Sequence, residues 1–255
     1  MIVNLSSIQG LFQTNTVLRI PFFQRPYVWN KENWDLFLSD MMDLLDTEDN
    51  YQMGAVLLKD AGKNELGYHV LDVVDGQQRL TTMVIFSKIL YAMAGRSDQF
   101  NQNFLQEDTI KCILEPSRVD TDDFVEIVFQ DTPADAMGTG QIANAYNYMR
   151  KKMKEMGFPD VANTIYRKFK NQVEFIKIVL SESDNEQFMF ERLNASGRPL
   201  STGDKLKNHL LTRENRDLYD QMWAPVFESG VDDFWGVLPL KGRKKQDTNI
   251  ESFFF

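Results

Sequence analysis

The amino-acid sequence predicts an α+β fold: a small mixed β-sheet, a large helical insertion and further helices towards the C-terminus. Three segments, 17–23, 51–59 and 67–74, have the apolar and β-branched pattern of β-strands. Helical patterns follow over about 95–171, and an apolar segment at 173–180 then resumes the strand pattern. Strands that resume after a long helical stretch indicate one sheet interrupted by an insertion.

The composition is that of a globular chain large enough to bury a core. Its 255 residues are 43% hydrophobic and 25% charged, which suits one or two domains. The N-terminus has no basic segment followed by an apolar core, and no window approaches the roughly 18 apolar residues of a membrane span. Cys112 is the only cysteine, so neither an intrachain disulfide nor a cysteine zinc cluster can form. We therefore expect a cytoplasmic protein with no membrane partner.

Charge is unevenly distributed along the chain, whose formal net charge is −9. Residues 1–140 hold 10 basic and 21 acidic side chains, whereas residues 141–255 hold 18 and 16. The acidic N-terminal half argues against a broad electrostatic grip on DNA, which needs a basic stripe. Two predicted helices, 141–156 and 160–171, are rich in cations, which indicates either solvated helix faces or a surface for a partner or nucleic acid. These cations are Arg150, Lys151, Lys152, Lys154, Arg167, Lys168 and Lys170.

The first strand, 17–23, contains Pro21, which favours a sheet edge or a bulge. It leads into a segment dense in polar and aromatic groups, Gln24-Arg-Pro-Tyr-Val-Trp29. Asn30 is a suitable N-cap for a helix over about 31–46, in which the apolar residues recur at helical spacing. Those apolar residues are Trp34, Phe37, Leu38, Met41, Leu44 and Leu45.

Residues 51–59 and 67–74 predict a β-hairpin, because the turn formers Asp60-Ala-Gly-Lys-Asn64 lie between them. The second strand stops at Asp75-Gly76, and a helix over about 76–93 begins there. That helix is apolar on most sides, so we expect it to be buried.

After the strand at 173–180, Asp184 is placed to cap a helix over about 185–194, and Gly197 is placed to end it. Ser201-Thr-Gly-Asp204 predicts the start of another helix, which runs to about residue 211. Four later aromatic residues have the character of core or interface side chains: Trp223, Phe227, Phe234 and Trp235.

The corner between the strand and the buried helix is the main candidate for chemistry. A helix N-terminus presents unpaired N–H groups and partial positive charge, which favour an anion. Arg79 adds a guanidinium suited to a phosphate, and Arg25 offers a second one for a polyphosphate. Asp75 can carry Mg²⁺, which takes oxygen ligands and bridges phosphates. The pattern therefore predicts a phosphate site after Gly76.

Four further side chains, in the segments 24–29 and 75–82, have the chemistry to act on a bound nucleotide. Gln24 or Gln78 can orient an attacking water, as Gln does in nucleotide hydrolysis. Tyr27 or Trp29 can stack on a base. The Gly-x-x-x-x-Gly-Lys-Ser/Thr pattern is absent, so the site is not a P-loop.

Simpler structural interpretations of the same residues stay open. Asp75 and Gln78 have the spacing of an N-cap and its N3 partner, so they could only close a helix end. Gln24 and Arg25 could form an edge-strand salt bridge, and the segment 194–197 could be a helix stop.

Other catalytic classes have little support in the sequence. His69 and His209 are the only histidines, too few for a zinc site built from His ligands. His69 is expected in a strand and His209 in a helix, and no local signature of a Ser/His/Asp or Cys/His system occurs.

Three motifs occur in order: Ile20-Pro-Phe-Phe-Gln-Arg-Pro-Tyr-Val-Trp29, Asp75-Gly-Gln-Gln-Arg-Leu-Thr-Thr82, and Phe190-Glu-Arg-Leu-Asn-Ala-Ser-Gly-Arg-Pro-Leu-Ser201, which continues to Lys207-Asn208. In this combination the chain resembles the N-terminal domain of the GmrSD-type modification-dependent restriction endonucleases, over roughly residues 5–212. The resemblance implies a ParB/sulfiredoxin-like nucleotide-binding domain over 1–212, with its helical insertion at about 95–171. It leaves 213–255 as a helical extension that stops before a nuclease domain.

The resemblance also implies that the second motif binds a nucleoside triphosphate with Mg²⁺ and hydrolyses it. In the family this activity is coupled to restriction of modified phage DNA. The catalytic residues carried over are Gln24, Arg25, Asp75, Gln78 and Arg79, with Asp75 as the metal ligand. The expected nucleotide contacts are Tyr27, Trp29, Gly76, Gln77, Thr81, Thr82, Asn194, Gly197, Lys205 and Asn208.

Members of the family often continue into an HNH-type nuclease domain, which uses His and Asn around a metal. Neither histidine of this chain has such a setting, so we expect a downstream or partner HNH domain to act on the modified DNA. Two alternatives stay open. One is a DNA-binding or DNA-nicking module on the same core, with the helices at 150–170 facing the duplex. The other is a non-catalytic interaction scaffold.

Overall fold

The computed structural model describes residues 1–106, 111–130, 134–181, 184, 189, 207, 210–211 and 216–227. The chain forms two compact units, one of residues 1–20 with 26–190 and one of residues 21–25 with 191–255. This division does not coincide with the boundary expected after residue 212, which stays a prediction.

A mixed β-sheet is the framework of the first unit. Its six described strands are β1 Ile2–Ser7, β2 Thr16–Arg19, β3 Tyr51–Lys63, β4 His69–Asp75, β5 Leu114–Glu115 and β6 Val173–Leu180. They lie in the order β1-β6-β3-β4-β2-β5. β3 and β4 form the predicted antiparallel hairpin, β1 pairs antiparallel with β6, and the other neighbouring pairs are parallel.

Helices pack on this sheet and enclose the main core. Those described in the first unit are α1 Ile8–Leu11, α2 Lys31–Asp43, α3 Gln77–Met93, α4 Ser97–Phe104, α5 Thr121–Phe129, α6 Gln141–Glu155 and α7 Phe158–Gln172. Short 3₁₀ turns cover Leu44–Asp46 and Arg118–Asp120. α3 is buried along most of its length, as predicted, because it is apolar on nearly every side. Phe86 of α3 packs edge-on against Phe37, Phe158 and Phe169, with ring centroids 5.2 to 6.0 Å apart.

The predicted α+β class is confirmed, and α4 to α7 occupy the predicted insertion between the hairpin and β6. Asn30 caps α2 as predicted, and Asn33 returns a bond to the Asn30 N–H to complete a capping box. β2 ends at Arg19 instead of residue 23, since Pro21 has no N–H for a ladder. The sequence does not predict β1 or β5. The finer likeness to a ParB/sulfiredoxin core stays a prediction.

The second unit contains a small apolar cluster of its own. The described members are Phe22, Phe23, Leu211, Tyr219, Trp223 and Ala224. The described helical turns are α8 Arg216–Leu218, a π-helical turn Tyr219–Trp223 and α9 Ala224–Phe227. Trp223 is buried, as predicted. The predicted helices at 185–194 and 205–211 lie outside the described residues, apart from positions 189, 207, 210 and 211, as do Phe234 and Trp235.

Across the described part of the chain, no helix combines the length and the apolar character needed to cross a bilayer.

Candidate functional site

The corner between β4 and α3 is built on a glycine. β4 ends at Asp75, and Gly76 follows as the N-cap of α3 with φ +98°. A Cβ at Gly76 would lie 3.1 Å from Val56 Cγ2 and 3.3 Å from the Ala55 oxygen, which are closer than ordinary contacts, so both the positive φ and the close packing favour glycine here. Because Gly76 is itself the N-cap, the alternative in which Asp75 and Gln78 form a capping box is wrong.

Gln78 joins the start of α3 to the loop of residues 26–29. Its Oε1 accepts the N–H groups of Val28 at 2.8 Å and Trp29 at 3.2 Å, and its Nε2 donates to the Pro26 oxygen at 3.2 Å. These contacts bring part of the first motif onto the second. They also commit both ends of the amide to the backbone, which leaves Gln78 poorly placed to orient a water.

Arg79 faces the strand β3. Its Nη2 donates to the Ala55 oxygen and lies 3.4 Å from Asp75 Oδ2. The side chains of Arg79 and Asp75 are 29% and 23% exposed. Arg79 Nε is buried and has no hydrogen-bond partner among the described residues. A partly exposed guanidinium at a helix N-terminus is suited to an anion.

Gly54 of β3 lies against this guanidinium, and the functional interpretation of the sequence missed it. Its φ is +100°, and it falls where the register of β3 against β6 shifts. A glycine inside a strand pattern is a signal of a bulge or of a close approach. That signal was present in Tyr51-Gln-Met-Gly-Ala55.

Tyr27 lies in the core, contrary to the expectation that it stacks on a base. The residue is 2% exposed. Its hydroxyl bonds to Thr82 Oγ1 at 2.6 Å and accepts Trp34 Nε1 at 2.8 Å. Burial raises the pKa of the Tyr27 hydroxyl, so it stays protonated. Thr81 and Thr82 are also buried, so none of these three side chains presents a surface to a nucleotide in this structure.

A buried carboxylate holds the loop 26–29 from another direction. Asp120 Oδ2 accepts the backbone N–H of Tyr27 at 2.8 Å and the Ser117 hydroxyl at 2.6 Å. Burial raises the pKa of the Asp120 carboxyl, and its hydrogen bonds only partly offset this effect. Asp120 and Tyr27 are 93 residues apart, so no local sequence signal connects them.

Trp29 and Gln77 are among the remaining side chains that the sequence predicts to contact a nucleotide. Trp29 is half-buried, and its carbonyl accepts Gln141 Nε2 at 2.6 Å, while Gln77 is buried. Four of the expected contacts lie outside the described residues: Asn194, Gly197, Lys205 and Asn208.

Gln24 and Arg25 belong to the second compact unit. Gln24 is buried, and its backbone N–H donates to the Pro21 oxygen at 2.9 Å. Arg25 is half-buried. Their expected convergence with Arg79 stays a prediction.

The cations of α6 and α7 that could have formed a nucleic-acid surface are in part paired. Lys168 Nζ lies 2.8 Å from Glu48 Oε1, and Arg150 forms an ion pair with Asp135. Lys151 is 81% exposed, and its Nζ lies 3.9 Å from Glu155 Oε1 in an exposed ion pair. These contacts favour the interpretation of solvated, ion-paired helix faces.

No cluster of three or more His, Cys, Asp or Glu side chains that could hold a metal ion occurs among the described residues. Asp75 supplies one carboxylate at the start of α3. One or two carboxylates with phosphate oxygens and waters are the usual ligands of Mg²⁺. Asp75 therefore fits an ion that is bound together with a nucleotide.

A comparison with protein families finds a match that covers both the loop 26–29 and the α3 corner. The description "GmrSD restriction endonuclease, N-terminal domain" matches residues 8–211. Among curated proteins, no significant match to the chain is found.

Proposed function

Because the chain belongs to the family of GmrSD restriction endonuclease N-terminal domains, we propose that its α3 corner binds a nucleoside triphosphate together with Mg²⁺. Membership of the family gives the chain a restriction-endonuclease-related function. Hydrolysis of the bound nucleotide is part of the proposal. The observation that carries it is the position of the Arg79 guanidinium beside the N-terminus of α3.

The electrostatics of the helix start support binding of phosphate. α3 is 17 residues long and has no acidic residue in its first turn. The N-terminus of such a helix carries about half an elementary positive charge. Arg79 adds the full positive charge of its guanidinium. An anion at this point would be favoured by both contributions.

Asp75 makes the proposed binding dependent on the metal ion. Its carboxylate lies 3.4 Å from Arg79 Nη2, so it partly neutralises the guanidinium and would repel a bare phosphate. Mg²⁺ held by Asp75 would bridge phosphate oxygens and offset this repulsion. We therefore expect the nucleotide to bind as its Mg²⁺ complex.

Gln78 has a positioning role in this proposal. Its three bonds to residues 26–29 hold that loop beside the corner. The roles of Gln24 and Arg25 stay predictions, because both belong to the second unit.

The test is a titration of fluorescent nucleoside triphosphates, with Mg²⁺ and with a chelator, against wild type, Arg79→Ala and Lys151→Ala. Wild type should bind only with Mg²⁺, and Arg79→Ala should lower the affinity by about tenfold or more. Lys151→Ala removes an exposed cation on α6 and should bind like wild type. If wild type binds no triphosphate with Mg²⁺, the proposal is refuted.

The wider part of the proposal is that the nucleotide controls cleavage of modified phage DNA by a downstream or partner HNH nuclease domain. Bacteria that carry the complete system should restrict a phage with modified DNA. The Arg79→Ala variant should lose this restriction, and the Lys151→Ala variant should keep it. Equal restriction by Arg79→Ala and wild type would show that defence does not depend on the corner.

A further inference from the structure

The bulge in β3 has a defined geometry next to the proposed site. Gln52 pairs with Glu174 of β6, whereas Ala55 pairs with Ile176, so β3 contains one extra residue between these pairs. Gly54 lies in this interval with φ +100°, a conformation that residues with side chains rarely adopt. The bulge therefore depends on glycine.

Two adjacent residues of the bulge, Gly54 and Ala55, lie beside Arg79. The Ala55 carbonyl accepts its Nη2. A Cβ at Gly54 would lie 3.4 Å from Nη1, 3.6 Å from Cζ and 3.7 Å from Nε. Because these three distances are nearly equal, a side chain at position 54 would lie over the flat face of the guanidinium. The Ala55 oxygen bonds to its edge, at Nη2.

We propose that Gly54 is a positioning residue for Arg79. The bulge sets the direction of the Ala55 carbonyl, and this carbonyl together with Asp75 fixes the guanidinium beside the N-terminus of α3. Only the nucleotide-binding part of the test below rests on the proposed function.

Gly62 provides a matched control in the same strand. It also has a positive φ, +77°, but a Cβ at Gly62 would have no described atom within 4 Å. Gly54→Ala and Gly62→Ala therefore impose the same kind of backbone strain. Only Gly54→Ala adds a change next to Arg79. Gly54→Asn keeps the test available if Gly54→Ala does not fold, since Asn adopts positive φ more readily.

The first measurement is a double-mutant cycle on stability, by urea unfolding. Gly54→Ala should lower the folding equilibrium constant both in wild type and in Arg79→Ala. The two decreases should differ from each other by about threefold or more. Gly62→Ala should change this constant by the same factor in both backgrounds. If the effect of Gly54→Ala is also the same in both backgrounds, Gly54 does not position Arg79.

The second measurement is the Nε–Hε signal of Arg79 in a ¹H–¹⁵N NMR spectrum, identified by its loss in Arg79→Ala. Gly54→Ala should shift this signal and speed its exchange with water, and Gly62→Ala should leave both unchanged. An Arg79 signal that Gly54→Ala does not alter would overturn the proposal.

The third measurement is nucleotide affinity in the presence of Mg²⁺. Gly54→Ala should weaken binding by about tenfold in protein shown to be folded, and Gly62→Ala should not. Equal affinity of Gly54→Ala and wild type would count against positioning. If wild type itself binds no triphosphate, the proposed function fails, while the cycle and the NMR signal still decide the role of Gly54.

Discussion

Gln78 and Arg79 are neighbours in the chain, yet their polar groups have opposite surroundings. Gln78 uses its carbonyl and its amide nitrogen on three backbone groups of the loop 26–29. Arg79 has one bond to Ala55 and a longer contact to Asp75, and its Nε has no described partner. One motif thus contains a residue that holds the fold together and a residue with binding capacity left over.

Burial follows the same division between a loop side and a bulge side. The loop side consists of Tyr27, Thr82 and Asp120, which are almost fully buried. The Tyr27 hydroxyl bonds to Thr82, and the Tyr27 backbone N–H donates to Asp120. On the bulge side, Asp75 and Arg79 are partly exposed. Changes on the loop side should therefore reduce stability, whereas changes on the bulge side should reduce binding.

The largest loss of stability is expected from Gln78→Ala. It leaves the N–H groups of Val28 and Trp29 and the carbonyl of Pro26 without partners, which should cost roughly 2–4 kcal/mol. Urea unfolding followed by circular dichroism measures this loss. Gln78→Glu keeps the acceptor and should cost less. A loss below about 1 kcal/mol for Gln78→Ala would show that the loop is held by other contacts.

Tyr27→Phe should come next, at about 1–2 kcal/mol. It removes the hydroxyl that accepts Trp34 Nε1 and leaves this buried donor unpaired. Tyr148→Phe is a suitable control, because it removes a 2.7 Å bond to Asp35 at a less buried position and should cost less. If the two variants unfold at the same urea concentration, the buried hydroxyl of Tyr27 contributes no more to stability than the less buried hydroxyl of Tyr148.

Arg79→Ala removes one hydrogen bond to the Ala55 carbonyl and a long, partly exposed ion pair with Asp75, so it should reduce stability by about 1 kcal/mol. The same variant is expected to bind the nucleotide about tenfold or more weakly. This separation of stability from binding is the sharpest test of the difference between the two sides. A loss of more than about 2 kcal/mol would place Arg79 with the structural residues.

Asp120→Asn should have the smallest effect, because Asn keeps a carbonyl oxygen that can accept the Tyr27 N–H and the Ser117 hydroxyl, and that effect should depend on pH. Burial raises the pKa of the Asp120 carboxyl in the folded protein above its unfolded value of about 3.9. Its contribution to stability is therefore fully present below the unfolded pKa and is lost as the pH rises through the folded pKa. The amide does not titrate. The stability of Asp120→Asn relative to wild type should thus increase as the pH rises above about 4. A difference that does not change with pH would contradict the prediction.

Much of the fold could be predicted because its signals lie within a few residues of each other. Asn30 marks the start of α2. The sequence also predicts the β3–β4 hairpin, but it places the turn too early: β3 continues through Lys63, so only the last of the predicted turn residues 60–64 lies outside the strand. Asp75-Gly76 marks the start of α3, and the position of Arg79 beside that start follows from helix geometry.

The parts that could not be predicted depend on contacts between distant segments. The polar and aromatic residues around Tyr27 are typical of an exposed recognition loop. In the structure, however, Tyr27 lies in the core, where it bonds to Thr82, 55 residues away, and to Asp120, 93 residues away. β1 carries no clear alternation, because most of its side chains are exposed and its existence depends on pairing with β6. Which side of α3 a polar residue faces is likewise set by tertiary packing.

The strand order has a consequence for how the protein folds during synthesis. β6 lies between β1 and β3, so the sheet cannot close until about 180 residues have been made. Pairing over such a separation is slow, because a long chain segment must first be closed into a loop. The hairpin and the loop contacts of Gln78 can form earlier, whereas the bulge at Gly54 pairs only with β6 among the described strands. The support of Arg79 should therefore be the last part of the corner to assemble on the ribosome.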